Sequence, residues 1–485
     1  MTSPASIAAD LAETSRRQSA AADPLASCWV SANAGTGKTH VLTMRVLRLL
    51  LAGTPPERIL CLTFTKAAAA EMSKRVFESL ATWVMLPKAD LEKTLSEGFL
   101  GRSPTAEQMA LARTLFTRAT ETPGGLGIVT IHAFAERLLQ RFPLEAGVTP
   151  GFSILDDTTA KKLMRDAIDH VIGAAARDPG TVLGRALEAA IAYAADDHFD
   201  DTLTDAVNRR DWLEGVSRLP SETDGGPEGL DMAEQLYRRH FGVRAGITRA
   251  AIEADGARVL SAGDLAHIRD VLCTGTKSDC DLAELATAAL GASSDRLRMD
   301  ALCRLLLTKD HEPRKRLITK ALSAKNPEIE PLMSRAQSRL LSFVAECQGT
   351  IAVEATMALI RLADAVRQRY HNAKVRRAAL DFDDLIQRAQ NLLANSASVE
   401  WVLYKLDRGL DHILVDESQD TSPSQWRVVE AIAGEFFAGT GAREEVVRTL
   451  FAVGDEKQSI YSFQGAAPEM FSAMGDRFAE LTASA

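Results

Sequence analysis

The sequence predicts an α/β protein in which a parallel sheet with flanking helices is interrupted by a large, mostly α-helical insertion domain. Three observations predict it. Short apolar or β-branched runs alternate with helical patterns over about residues 27–80; strand-like runs nearly vanish over residues 143–378, where Leu and Ala recur at helical spacing; and the alternation returns from Asp381. The expected divisions are residues 1–142 and 379–485 for the two parts of the sheet domain and 143–378 for the insertion.

Each element follows from its own residues. Cys28-Trp29-Val30 is a strand, and the helix that begins near Lys38 is stopped by Gly53 and Pro55-Pro56. The run from Ile59 to Phe64 is a second strand, followed by the helix KAAAAEMSKRVFESLATWV. A helical stretch from Pro87 to about Thr122 leads to a strand at Gly127–Ile131 and the helix HAFAERLLQRF. Beyond the insertion, whose one conspicuous break is the polar loop Pro220–Asp231, two more core strands lie at His412–Val415 and Leu450–Val453.

Composition narrows the function. With 485 residues, 46% of them hydrophobic, the chain buries a large core and divides into more than one domain. Its 56 Lys plus Arg against 65 Asp plus Glu leave a net charge of −9, so a nucleic-acid partner has to be met by a local patch. The local basic clusters are Pro313–Lys320 and Arg367–Arg377, where a solvated helix face competes with contact to duplex phosphates. Six scattered cysteines without a C-x-x-C pair suggest neither disulfides nor zinc, and a reducing cytoplasm is the expected compartment. The first 27 residues lack an apolar core of signal-peptide type, and no run approaches 18 uninterrupted apolar residues, so no membrane partner is expected.

The stretch SANAGTGKTH carries the first chemistry. Ala32-x-x-x-x-Gly37-Lys38-Thr39 fits a phosphate-binding loop set between a strand and a helix, which makes Ala32, Asn33, Ala34, Gly35, Thr36, Gly37, Lys38, Thr39 and His40 the candidate nucleotide-binding residues. Gly35 and Gly37 let backbone N–H groups turn inward around phosphate oxygens at the positive end of the following helix. Lys38 would neutralise the β- and γ-phosphates of ATP, and the Thr39 hydroxyl would hold Mg²⁺. HILVDESQDTSPSQW then places Asp416 and Glu417 at the end of an apolar strand, where open α/β sheets put their ligands. Asp416 would share the Mg²⁺ with Thr39, and Glu417 would polarise a water for attack on the γ-phosphate. In GDEKQSIYSFQGA the carboxamide of Gln458 is placed to register the γ-phosphate, and Tyr461 and Phe463 to stack on bases.

These segments resemble the superfamily 1 DNA helicases of the UvrD/RecB type, and within them the AddA-like branch of double-strand break repair. The resemblance rests on six ordered motifs: RRQSAAAD is similar to the Q motif, the loop at Lys38 to motif I, ILCLTFTKAAAAEMSKRV to motif Ia, IVTIHAFAERLL to motif Ib, DESQDTSP, with DFDDLI shortly upstream, to motif II, and GDEKQSIYSFQGA to motif III. It implies a RecA-like P-loop domain 1A interrupted by a helical domain 1B. It further implies that Gln18 reads adenine and that Phe64, Thr65, His132, Phe134, Tyr461 and Phe463 line a single-strand track. A structural cap or core role competes for His132 and Phe134. ATP, Mg²⁺, single-stranded and duplex DNA, an AddB-like partner protein and a nucleoid-associated cytoplasmic setting follow from the same resemblance, as does movement in the 3′→5′ direction. Phe463-Gln464-Gly465-Ala466 departs from the W-R-G-A common in UvrD-type enzymes, and the second RecA-like half and the nuclease domain of the AddA pattern are expected to be absent from these 485 residues. Slow ATP turnover is therefore expected of the chain alone. Two other classes share parts of the pattern. A P-loop ATPase that never touches DNA leaves LTFTK and TIHAF unexplained, and a DNA-binding scaffold without turnover is opposed by the intact Lys38, Thr39, Asp416 and Glu417.

Overall fold

The structure is a computed structural model that describes residues 4–33, 37–193, 199–222, 228–394, 399–407, 409–437, 447–455 and 468–483. The chain forms two compact units, Met1–Asp156 with Val375–Ala485, and Asp157–Lys374.

The first unit is built on five parallel strands: β1 (Cys28–Ser31), β2 (Ile59–Thr63), β3 (Gly127–Thr130), β6 (His412–Val415) and β7 (Thr449–Gly454), in the order β1-β7-β6-β2-β3. Each is a short apolar run because both faces of the sheet are covered. Successive residues serve opposite cores. Cys61, Leu414, Phe451 and Val453 face α2 (Lys38–Leu51) and α3 (Lys66–Met85), meeting Leu42, Val46, Met72 and Val76. Leu60, Leu62, Ile413, Val415 and Ala452 face the helices Ile131–Arg141, Phe382–Ala394 and Pro423–Phe437.

The insertion leaves and rejoins this unit through β4 (Ser153–Ile154) and β5 (Ala379–Leu380), which pair in parallel. Phe142, Ala146, Val148 and Phe152 belong to the sheet-domain core, so the division falls at Asp157 rather than near residue 143. Burial of these four apolar groups is the reason the segment stays with the sheet.

The second unit is helical. One of its cores gathers Leu265, Ile268, Leu302, Leu305, Met333 and Leu340, the last two from the 48-residue helix Ile329–Arg376. Among the described residues this helix alone has the length and apolar composition of a membrane span, and 44% of the relevant window is buried. The basic clusters are partly structural. Arg314 donates to the carbonyls of Leu307 and Arg304, at 2.8 and 3.0 Å, and Arg367 pairs with Asp364 at 2.8 Å.

At the base of the sheet, opposite the nucleotide loop, a buried polar network locks strands to helices. Arg45 of α2 is fully buried and donates to the carbonyls of Ala21, Asp23 and Ala26 and to the Thr449 hydroxyl, at 2.5–3.1 Å. Its guanidinium also lies 5.1 Å from the Phe451 ring centroid. α1 (Pro4–Ala21) is thereby fastened to α2, with Arg48 adding bonds to the carbonyl and hydroxyl of Ser19. Burial lowers the Arg45 pKa to about 10, which still leaves it charged at neutral pH.

His412 completes the network through Thr449, its Nδ1 lying 2.8 Å from the hydroxyl. Burial lowers its pKa to about 4; Asp411 opposes the shift and Arg45 adds to it. Between the unfolded value near 6.5 and about 4 the unfolded chain binds a proton that the folded chain does not, so stability rises with pH across that window. The term is present in full above about pH 6.5 and is lost as pH falls toward 4, up to roughly 3 kcal/mol. Urea midpoints measured from pH 7 to pH 4.5 are expected to fall for the wild type, and to fall less steeply for His412→Gln.

Candidate nucleotide-binding site

The rim formed by the C-terminal ends of β1, β7 and β6 collects the sequence-predicted groups. Ser31 stands level with Gly454, and Ala452 with Val415, so the segments following these strands open side by side. Gly37 caps α2 with φ +85, a left-handed conformation that suits glycine. A Cβ there would lie 3.1 Å from the Gln18 side-chain amide nitrogen, which places the Q-motif glutamine against the phosphate loop. Ala32, Asn33, Lys38, Thr39 and His40 flank the loop, while Ala34, Gly35 and Thr36 lie outside the described residues.

Lys38 meets Glu417, one of the two acids that follow β6, across the rim. Its Nζ is 3.7 Å from Glu417 Oε2, although 379 sequence positions (417 − 38) separate them. The ammonium is buried and has no hydrogen-bond partner among the described residues. A buried donor without an acceptor fits a phosphate oxygen as its missing partner.

Asp416 is buried beside it and accepts the Glu417 backbone N–H at 3.0 Å. Burial raises its pKa to about 6, with the Glu417 charge adding to the shift and the Glu417 N–H and Lys38 opposing it. A desolvated carboxylate short of positive charge fits a cation site, and Thr39 and Asp416 are the residues that would hold Mg²⁺ there. Glu417 sits at φ +47, an uncommon backbone state for a non-glycine residue. Such outliers concentrate at functional sites.

A second group lies at the ends of β2 and β3. Phe64 and Thr65 follow β2, and the Thr65 hydroxyl caps α3 by accepting Ala68 N–H at 3.1 Å. His132 is half-buried, edge-on to Phe382 with centroids 5.6 Å apart, and burial lowers its pKa against the raising effect of Asp383. Phe382 is 37% exposed and is a residue that sequence reasoning misses. Its signal lies in DFDD: Asp381 and Asp384 each accept the other's backbone N–H, at 2.9 and 3.1 Å, and so set the start of the helix Phe382–Ala394. Phe134 corrects the expected single-strand track. It is 8% exposed and packs with Leu138 and Leu385 in the core, so its ring offers no face to a base. Gln458, Tyr461 and Phe463 lie outside the described residues.

A parallel sheet with a phosphate loop after its first strand, and with acids after a central strand reaching that loop's lysine, defines a RecA-like P-loop nucleotide-triphosphatase domain. Residues 13–479 match the UvrD/REP helicase N-terminal domain, and the chain belongs to that family. It is similar to the A subunit of the ATP-dependent helicase/nuclease of Levilactobacillus brevis, 29% identical over 93% of this chain and 34% of that protein. The Desulfitobacterium hafniense protein of the same name is 27% identical over 94% and 32%, and the Bacillus velezensis one 26% identical over 94% and 36%. The chain spans about a third of the length of these relatives.

The charge cluster makes a stability prediction. A carboxylate with a raised pKa destabilises the fold once pH exceeds its unfolded value, because the folded state holds its proton longer. Asp416→Asn keeps an acceptor for the Glu417 N–H and removes the desolvated charge, so at pH 7 in chelator it is expected to stabilise the protein by about 1–3 kcal/mol. Thermal melts in EDTA read the gain, and unchanged or lower melting contradicts it.

Proposed function

We propose that this chain is the ATP-binding and single-strand-engaging part of an ATP-dependent DNA helicase of the AddA-like branch, acting in double-strand break repair with an AddB-like partner. The observation that carries the reading is the approach of Lys38 to Glu417 at the rim of the sheet. The setting is the bacterial cytoplasm at the nucleoid, and the direction of movement is 3′→5′.

In the reaction, Lys38 exchanges Glu417 for the phosphates of ATP. Glu417 takes a proton from water as the water oxygen bonds to the γ-phosphorus and the bond to the β-bridging oxygen breaks, leaving ADP and phosphate. Thr39 and Asp416 would hold Mg²⁺, which would supply charge neutralisation at the phosphates. Gln18 reads the base, and Gln458 registers the γ-phosphate. Phe64, the Thr65 backbone, His132 and Phe382 form one wall of the single-strand track; the resemblance assigns Tyr461 and Phe463, outside the described residues, to the same track. Aromatic rings there accept bases of any sequence, as a translocating motor requires.

Fluorescent-ATP and single-stranded oligonucleotide binding separate these roles. Lys38→Ala is expected to abolish nucleotide binding, whereas Phe382→Ala weakens oligonucleotide affinity by about 1–3 kcal/mol and leaves nucleotide affinity unchanged. Oligonucleotide binding indifferent both to nucleotide and to Phe382 would leave a scaffold instead of a motor.

A further inference from the structure

Between the end of β7 and the Glu417 carboxylate lies a buried amide that the reaction above does not use. Gln419 follows Glu417 by two positions, in the turn Ser418–Asp420, and is 2% exposed. Its Oε1 accepts the backbone N–H of Asp455, just past the end of β7, at 2.9 Å. Its Nε2 donates to Glu417 Oε2 at 2.7 Å and reaches Asp420 Oδ2 at 3.4 Å. The amide cannot be turned round. A backbone N–H only donates, so oxygen must face Asp455, and that leaves the NH₂ group to face the carboxylate.

Gly454 makes room for this arrangement. A Cβ there would lie 2.9 Å from Gln419 Oε1 and 3.1 Å from the Phe471 ring, so the amide lies across the one position of β7 that has no side chain. Glu417 needs such a hold. Its side chain is 38% exposed, and among the described residues its carboxylate is held only by Lys38 at 3.7 Å and Gln419 at 2.7 Å. Once Lys38 turns to phosphate, the Gln419 bond is the one that stays.

We propose that Gln419 is a positioning residue of the ATPase reaction, holding the Glu417 carboxylate in its proton-accepting orientation and registering it to the backbone at the mouth of β7. The assignment rests on the functional reading of the site given above. Gln419 touches neither nucleotide nor water and acts through Glu417.

The test uses the 485-residue chain with Mg-ATP, reading nucleotide affinity by fluorescence and hydrolysis in single-turnover mode with protein in excess. Gln419→Met, close in size and without either hydrogen bond, is expected to hold affinity within about threefold and slow hydrolysis roughly 10- to 100-fold. Gln419→Glu keeps an acceptor for Asp455 and replaces the donor facing Glu417 with a second carboxylate oxygen. It is expected to be at least as slow as the methionine variant. Gly454→Ala, which crowds the amide from the neighbouring strand, should slow hydrolysis in the same sense. Wild-type rates in Gln419→Glu would show that only the Asp455 bond matters and would overturn the proposal. So would a loss of affinity and melting temperature in Gln419→Met that matches its loss of rate. Hydrolysis by the wild type no faster than by Lys38→Ala would instead refute the ATPase reading, and this assignment with it.

Discussion

The structure depends on bringing one ammonium and two carboxylates to the same rim of a parallel sheet. Lys38 is buried without a hydrogen-bond partner among the described residues, Asp416 is held protonated to unusually high pH by burial, and Glu417 occupies a left-handed backbone conformation. Each feature by itself opposes folding. Together they fit a site that a polyanion and a cation would complete: phosphate would give Lys38 its acceptor, and a divalent ion would reverse the electrostatics around Asp416. Binding energy and folding energy are thus linked at one place.

Groups under such strain stay in place only if the surrounding frame is stiff. β7 lies between β1 and β6, and its lower end is tied by Thr449 to both Arg45 and His412. At its upper end Gly454 admits the Gln419 amide. The same strand therefore anchors the helix that follows the phosphate loop and the turn that follows the acids. Arg45 extends that frame to the Q-motif segment through three carbonyls of residues 21–26. A lysine in its place would lack the planar fork needed to serve several carbonyls at once.

Much of this is readable from the chain. All five strands of the main sheet show as apolar runs because a sheet covered on both faces leaves no polar alternation to blur them. The phosphate loop and the acids are readable because their chemistry allows few substitutes at fixed spacing. Strand order is not, since parallel neighbours are joined through crossovers whose length says nothing of position. Arg45 reads as an ordinary helix charge, because its partners are backbone carbonyls and carbonyls have no residue code. Phe134 is misplaced by the motif resemblance for a reason the sequence itself contains: Ile131, Phe134, Ala135 and Leu138 share one helical face, and that face is the core. Periodicity is the better guide there. Segment 143–156 reads as part of the insertion because a strand of two residues, such as β4, leaves almost no pattern.

That short pairing has a consequence for function. His132 and Phe382 are separated by the whole insertion, yet their rings meet edge to edge. β4 and β5 bring the chain's exit and return together, and the mutual caps of Asp381 and Asp384 then set the next helix so that Phe382 emerges beside His132. The contact between the His132 and Phe382 rings therefore depends on a two-residue ladder and a capping box, with nothing required of the length of the helical unit between them. Loop-closure entropy grows only slowly with length, so a large insertion at this point adds little cost to the contact. The sheet unit can thus carry insertions of very different size while its nucleotide rim and aromatic wall keep the same geometry, provided that the chain re-enters beside the strand from which it left.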